Sequence, residues 1–144
     1  MTTTTSVALP AHEARFFRAF FLVAAVWNFV GAVPGVLDPA GMFAREFGLA
    51  LTDPVQVAIY RGAWGTALLY GFGFLLVARD PARHSGVVAM GGLGKALFAL
   101  NLAVMHLNGL TSWFAVVVIV GDIVFVAVFA GYFMRLRRSG IALI

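Results

Sequence analysis

The chain has no cysteine. Disulfides, thiolate metal sites, iron–sulfur clusters and cysteine nucleophiles are therefore excluded, while the redox state of the compartment stays open because there is no thiol to oxidise. Charge is also scarce. Only 11% of the 144 residues are charged and 62% are hydrophobic, whereas a soluble domain carries about 25% charged residues. That deficit points to one compact membrane domain. Acids are the rarer sign, six against ten lysines and arginines, for a net charge of +4. Most of the basic residues flank apolar runs, as membrane topology requires, and no basic motif for nucleic acid accompanies them.

What is present is a set of long apolar runs. About 20 apolar residues span the hydrocarbon core of a bilayer. Four runs reach that length, at about 16–33, 54–78, 86–107 and 113–134. The expectation is an all-α fold, a four-helix transmembrane bundle, occupying residues 12–138 as a single domain. The threonine-rich residues 1–11 are expected to be a disordered tail, and residues 139–144 a C-terminal tail. The first run has a basic flank, like a signal peptide, but Asn28 lies inside it and no small-x-small cleavage site follows, so it reads as a retained span.

Three Asp-Pro pairs, Asp38-Pro39, Asp53-Pro54 and Asp80-Pro81, read as three helix starts. The carboxylate accepts from free amides there and proline fits the first turn. The first pair opens a short interfacial helix between the first and second spans, from Pro39 to about Gly48. Its Met42, Phe43 and Phe47 share one face and Arg45 and Glu46 lie nearer the other. A lid over a site is the alternative for this segment. The short turns between the later spans predict that spans two and three, and three and four, are antiparallel neighbours.

Seven arginines fall on one side of this arrangement: Arg15, Arg18, Arg79, Arg83, Arg135, Arg137 and Arg138. Arg45 is alone on the other. The positive-inside rule then predicts cytoplasmic termini, and the expected location is the bacterial cytoplasmic (inner) membrane. Trp113, Tyr60 and Tyr132 lie near span ends, where amphipathic rings favour the interface.

Polar residues inside the spans are the candidate site. At about 1.5 Å per residue, Arg61 lies roughly 10 Å in from the outer end, Asn101 and Asn28 roughly 9 Å, Asp122 roughly 14 Å and Lys95 roughly 18 Å. Lys95 and Asp122 differ in depth by only about 5 Å on a hairpin and are expected to pair. Gly91, Lys95, Ala99 and Ala103 share a face, and so do Ala58, Gly62 and Thr66 on the second span. Trp64 and Trp27 sit inside their spans, in helix packing or in a ring-stacking pocket. Two readings stay open. The polar groups only fix helix register, or they line a ligand or water-filled site. Two cations, Arg61 and Lys95, against Asp122 would leave a dry core with an unpaired charge, which favours the second reading. The candidate ligand-binding residues are then Arg61, Lys95, Asp122, Asn28, Asn101 and Trp64.

No catalytic constellation, and no residue set for a cofactor, is visible. The Gly94-Lys95 string lacks the spacing and the Ser/Thr of a phosphate loop. His12, His84 and His106 lie on separate segments and do not make a metal site. An internal channel is the least favoured reading, since four spans leave little room for one.

Arg61-Gly62-x-Trp64-Gly65, the turn Ala78-Arg79-Asp80-Pro81 and Gly121-Asp122-x-x-Phe125 together resemble the DoxX-like group of small four-helix bacterial membrane proteins, over about residues 56–133. Some of that group are associated with quinone-linked oxidoreductases. The resemblance thus implies a protein that binds an amphipathic small molecule, a quinone or lipid, in the helix core as an accessory to a membrane oxidoreductase. The alternative is a structural or assembly subunit. Beside the bilayer, the expected partners are such a lipophile and a second copy or another membrane protein, and no nucleic acid.

Overall fold

The structure, a computed structural model, describes residues 9–143; the expected tail at residues 1–8 and Ile144 lie outside the described residues. Five helices account for most of the chain: α1 (Ala11–Leu37), α2 (Pro39–Phe47), α3 (Pro54–Arg79), α4 (Ser85–Leu107) and α5 (Trp113–Arg138). Among them α1, α4 and α5 are long and apolar enough to cross a membrane. α3 is equally long, at 26 residues, but Gln56, Tyr60, Arg61 and Thr66 and four glycines dilute its apolar character. Large apolar side chains such as Leu69, Leu97 and Val120 point outward, as on a surface solvated by lipid.

The helix starts follow local chemistry at two of the three Asp-Pro pairs. Asp38 Oδ1 accepts from Gly41 N at 3.0 Å. Asp53 Oδ1 accepts from Val55 N and Gln56 N, both at 2.9 Å. The third pair opens no helix. Asp80 closes α3 and its carboxylate accepts from Ala82 N at 3.2 Å within the turn, so α4 begins only at Ser85. Pro81 is held in that turn by Tyr132, whose hydroxyl donates to the Pro81 carbonyl at 2.5 Å.

α1 is longer than the apolar run suggested at both ends. It begins at Ala11 and runs through Pro34. Proline removes the bond to the carbonyl four residues back, but only the last turn remains, and Asp38 N closes that turn on the Pro34 carbonyl at 2.8 Å.

α1 and α3 make the most extensive helix contact, and α4 and α5 the next. α3 touches α4 much less, although a short turn joins them. Glycines let α1 and α3 approach closely. A Cβ on Gly71 would sit 2.6 Å from the Phe29 ring, and one on Gly35 would sit 2.2 Å from the Trp64 ring. Small residues let these rings lie against the neighbouring backbone, and van der Waals packing holds helices together in lipid. The two pairs then join through interdigitated aromatics. Phe21 stacks on Phe74 and Phe129, with ring centroids 6.2 and 5.6 Å away, and meets Tyr132 edge-on at 5.2 Å. Such contacts add about 0.5–1.5 kcal/mol each beyond burial.

Both ends of the bundle are tied. At one end Arg135 Nη1 reaches Glu13 Oε1 at 3.2 Å, which places the start of α1 beside the end of α5. At the other end α2 caps the bundle. Ser112 N donates to the Glu46 carbonyl at 2.7 Å, and its hydroxyl donates to the Arg45 carbonyl. The facing of α2 differs from the amphipathic expectation: Glu46 is buried with Met42, at 1% and 4% exposure. The two are four residues apart and share a face.

Candidate functional site

α4 presents its small-residue face to the bundle, so Gly91, Lys95 and Ala99 are all buried. α5 turns Asp122, Phe125 and Phe129 inward. Lys95 Nζ and Asp122 Oδ1 meet at 2.6 Å, with 9% and 4% of the two residues exposed. The tight hairpin at 108–112 sets this register, and the pair expected from depth therefore forms.

A third group completes the cluster. Trp27 Nε1 of α1 donates to the same oxygen, Asp122 Oδ1, at 3.1 Å. The Trp27 ring can approach because residue 121 is glycine: a Cβ there would lie 2.3 Å from Trp27 Cζ2. The ammonium also lies over Phe125, 5.1 Å from the ring centroid, close enough for a cation–π attraction. Three helices thus converge on one carboxylate oxygen. The sequence gives a faint signal for Trp27, since an indole N–H inside a span needs an acceptor.

The other candidates divide. Asn28, next to Trp27, faces α3 instead of α5, because successive helical residues point about 100° apart. Its Nδ2 donates to the Ala67 carbonyl at 2.8 Å, and its buried Oδ1 has no partner among the described residues. Trp64 is buried away from the ion pair, edge-on to Tyr60 and Phe98 at 6.2 Å each. Arg61 and Asn101 are exposed on their helices, and Asn101 makes only a 3.8 Å contact to Met105 Sδ. The structure therefore gathers Lys95 and Asp122 with Trp27, and places Arg61, Asn101, Asn28 and Trp64 elsewhere. The stripe Ala58, Gly62 and Thr66 also faces outward.

A second polar centre sits under α2. The Tyr60 hydroxyl donates to Glu46 Oε2, while the buried Oε1 has no partner among the described residues. Burial pushes the Glu46 carboxyl above its ordinary value, and the bond from Tyr60 opposes that only in part. Nothing in the sequence separated this glutamate from a surface acid.

Compared with family models, with curated proteins and with solved structures, the chain matches none.

Proposed function

We propose that the chain is a four-span membrane protein of structural or assembly type, in which Lys95, Asp122 and Trp27 fix the packing of α4 and α5 against α1. The carrying observation is the closure of opposite charges on each other, 2.6 Å apart and shielded from the surroundings. A lysine at the bilayer centre costs about 2.5–3.5 kcal/mol on insertion scales. Pairing offsets that cost without a ligand. Arg61 does not disturb the balance, because it is exposed and free to extend toward the interface.

α3 supplies the fourth span in this reading. Its 26 residues reach about 39 Å, and it lies against α1 along its length. The start of α1 and the end of α5 share the arginine-rich end, which the positive-inside rule assigns to the cytoplasm. The DoxX-like resemblance supports a bacterial inner membrane.

A second reading is favoured by one observation. Lys95 has two further N–H groups, and Asp122 has Oδ2, that no hydrogen bond among the described residues engages. The Lys95 N–H groups suit the carbonyl, and Oδ2 the hydroxyl of the reduced form, of an amphipathic molecule such as a quinone, which would fit an accessory to a membrane oxidoreductase.

A mutant cycle separates the two. Asp122→Asn or Lys95→Met alone leaves one buried charge and should cost roughly 3–5 kcal/mol, whereas the double change Lys95→Met with Asp122→Leu should recover the part due to the unpaired charge, leaving about 1–3 kcal/mol for the Trp27 N–H that loses its acceptor. Thermal unfolding in mild detergent reads the outcome. If the double change is as damaging as either single one, and a lipophile seen by native mass spectrometry disappears in Lys95→Met, the ligand reading replaces the structural one.

A further inference from the structure

The ion pair is not the only place where charge and apolar surface meet. Along the outer faces of α1 and α3 runs an open groove of about 870 Å³, floored by Leu22, Leu69, Phe72 and Leu76. Arg18 and Arg79 stand at its arginine-rich end. We propose that this groove binds one anionic phospholipid, with its phosphate between the two guanidiniums and an acyl chain along the groove.

Depth is the first argument. From Arg79 to Leu69 is ten residues of α3, about 15 Å. Half of a hydrocarbon core of about 30 Å is the same depth. The groove therefore matches one leaflet, with its cations at headgroup level and its apolar floor at acyl level. The occupant is an amphiphile of that leaflet rather than a molecule lodged at the midplane.

Charge is the second. Arg18 Nη2 donates to the Arg79 carbonyl at 3.4 Å, which brings the two arginines together across the groove mouth. Neither has a carboxylate partner among the described residues; the nearby Glu13 pairs with Arg135 instead. Two exposed guanidiniums with free donors match the oxygens of a phosphate, which arginine can bind bidentately. A zwitterionic or uncharged headgroup would leave that positive charge unbalanced.

Backbone shape is the third. Gly73 lines the groove, and its missing side chain lets α4 come close behind the floor. A Cβ there would lie 2.8 Å from Val87 Cγ1.

The test is native mass spectrometry of the full chain in non-ionic detergent. It is titrated with phosphatidylglycerol, with phosphatidylcholine of the same acyl chains, and with glycerol 1-phosphate as the free headgroup. One phosphatidylglycerol should be retained in preference to phosphatidylcholine, and glycerol 1-phosphate should not displace it. Arg18→Ala with Arg79→Ala should weaken retention about 10–30-fold, the effect of two basic residues at an anionic surface. Arg137→Ala with Arg138→Ala removes as much charge outside the groove and should leave retention unchanged. Leu69→Trp keeps both arginines, fills the deep end of the groove at an exposed position, and should also weaken retention; it carries the test if the arginine pair proves necessary for folding. Equal loss in both arginine doubles would overturn the proposal in favour of diffuse attraction. Equal affinity for the two lipids, or displacement by glycerol 1-phosphate, would overturn it as well.

Discussion

Gly121→Ala is the smallest change that attacks the three-helix cluster without touching a charge. The added Cβ would stand 2.3 Å from Trp27 Cζ2 and 2.5 Å from Cη2. Carbon atoms in contact sit about 3.5–4.0 Å apart, so the indole must retreat by more than about 1 Å. Its bond to Asp122 Oδ1 is already 3.1 Å, and a retreat of that size breaks it. Overpacking costs typically about 1–3 kcal/mol. Losing a hydrogen bond to a charged group adds about 1.5–3 kcal/mol. The two overlap, because moving the ring relieves the clash by giving up the bond, so a net loss of about 2–4 kcal/mol is expected. Thermal unfolding in detergent measures it. Indole emission in a background with Trp64→Phe and Trp113→Phe reports Trp27 alone and should change with its surroundings. Trp27→Phe should make Gly121→Ala much less damaging, because the smaller ring no longer needs the space. If Gly121→Ala is as stable as the parent, or equally harmful in both backgrounds, Trp27 does not depend on Gly121 and the cluster is not built as described.

Two further outcomes are expected. Glu46 has its folded-state pKa raised by burial, so the folded chain holds this proton more tightly than the unfolded chain; the docking of α2 should be firmest below the ordinary carboxylate range and weaken as pH rises from there through the raised folded value. Protease cleavage in the 48–53 connection should follow that trend in the parent and lose it in Glu46→Gln, and a parent whose cleavage does not vary with pH relative to Glu46→Gln would refute it. A reporter fused after residue 144 should be active in the cytoplasm, and activity confined to the opposite side would overturn the topology.

The helical architecture was legible because lipid makes a simple demand: backbone groups must bond internally and apolar length must match thickness. Lys95 and Asp122 were legible for a related reason. A short turn fixes the relative depth of two neighbouring spans, and a buried charge must find its opposite. Facing was harder to read. Asn101 lies six residues beyond Lys95 and points to a different side of α4, so a place inside the same span did not bring it to the site. Arg61 has the depth of a core group but an exposed position. The inward turn of Glu46 depends on Ser112 and Tyr60, which are far away in the chain. Asp80 precedes a proline as Asp38 and Asp53 do, but its proline is held in a turn by Tyr132, far away in the chain.

The position of Arg61 also bears on how α3 is held. In the four-span reading this helix is the least apolar of the four and carries a cation on its outward face. Apolarity alone is then a weak reason for it to cross. What holds it is α1: Trp64 against Gly31 and Gly35, Phe29 against Gly71, and the Asn28 amide on the Ala67 carbonyl at 2.8 Å. Three of these devices need a small residue or a polar donor in α1, at residues 28, 31 and 35. The polar Asn28 and Gly31, which dilute the first apolar run, and Gly35 just beyond it are thus the features that let α1 carry its less apolar neighbour. α1 divides its inner surface accordingly, with residues 28, 31 and 35 serving α3 while Trp27 serves α5. Through adjacent residues one helix links the least apolar segment of the bundle to its only enclosed ion pair among the described residues.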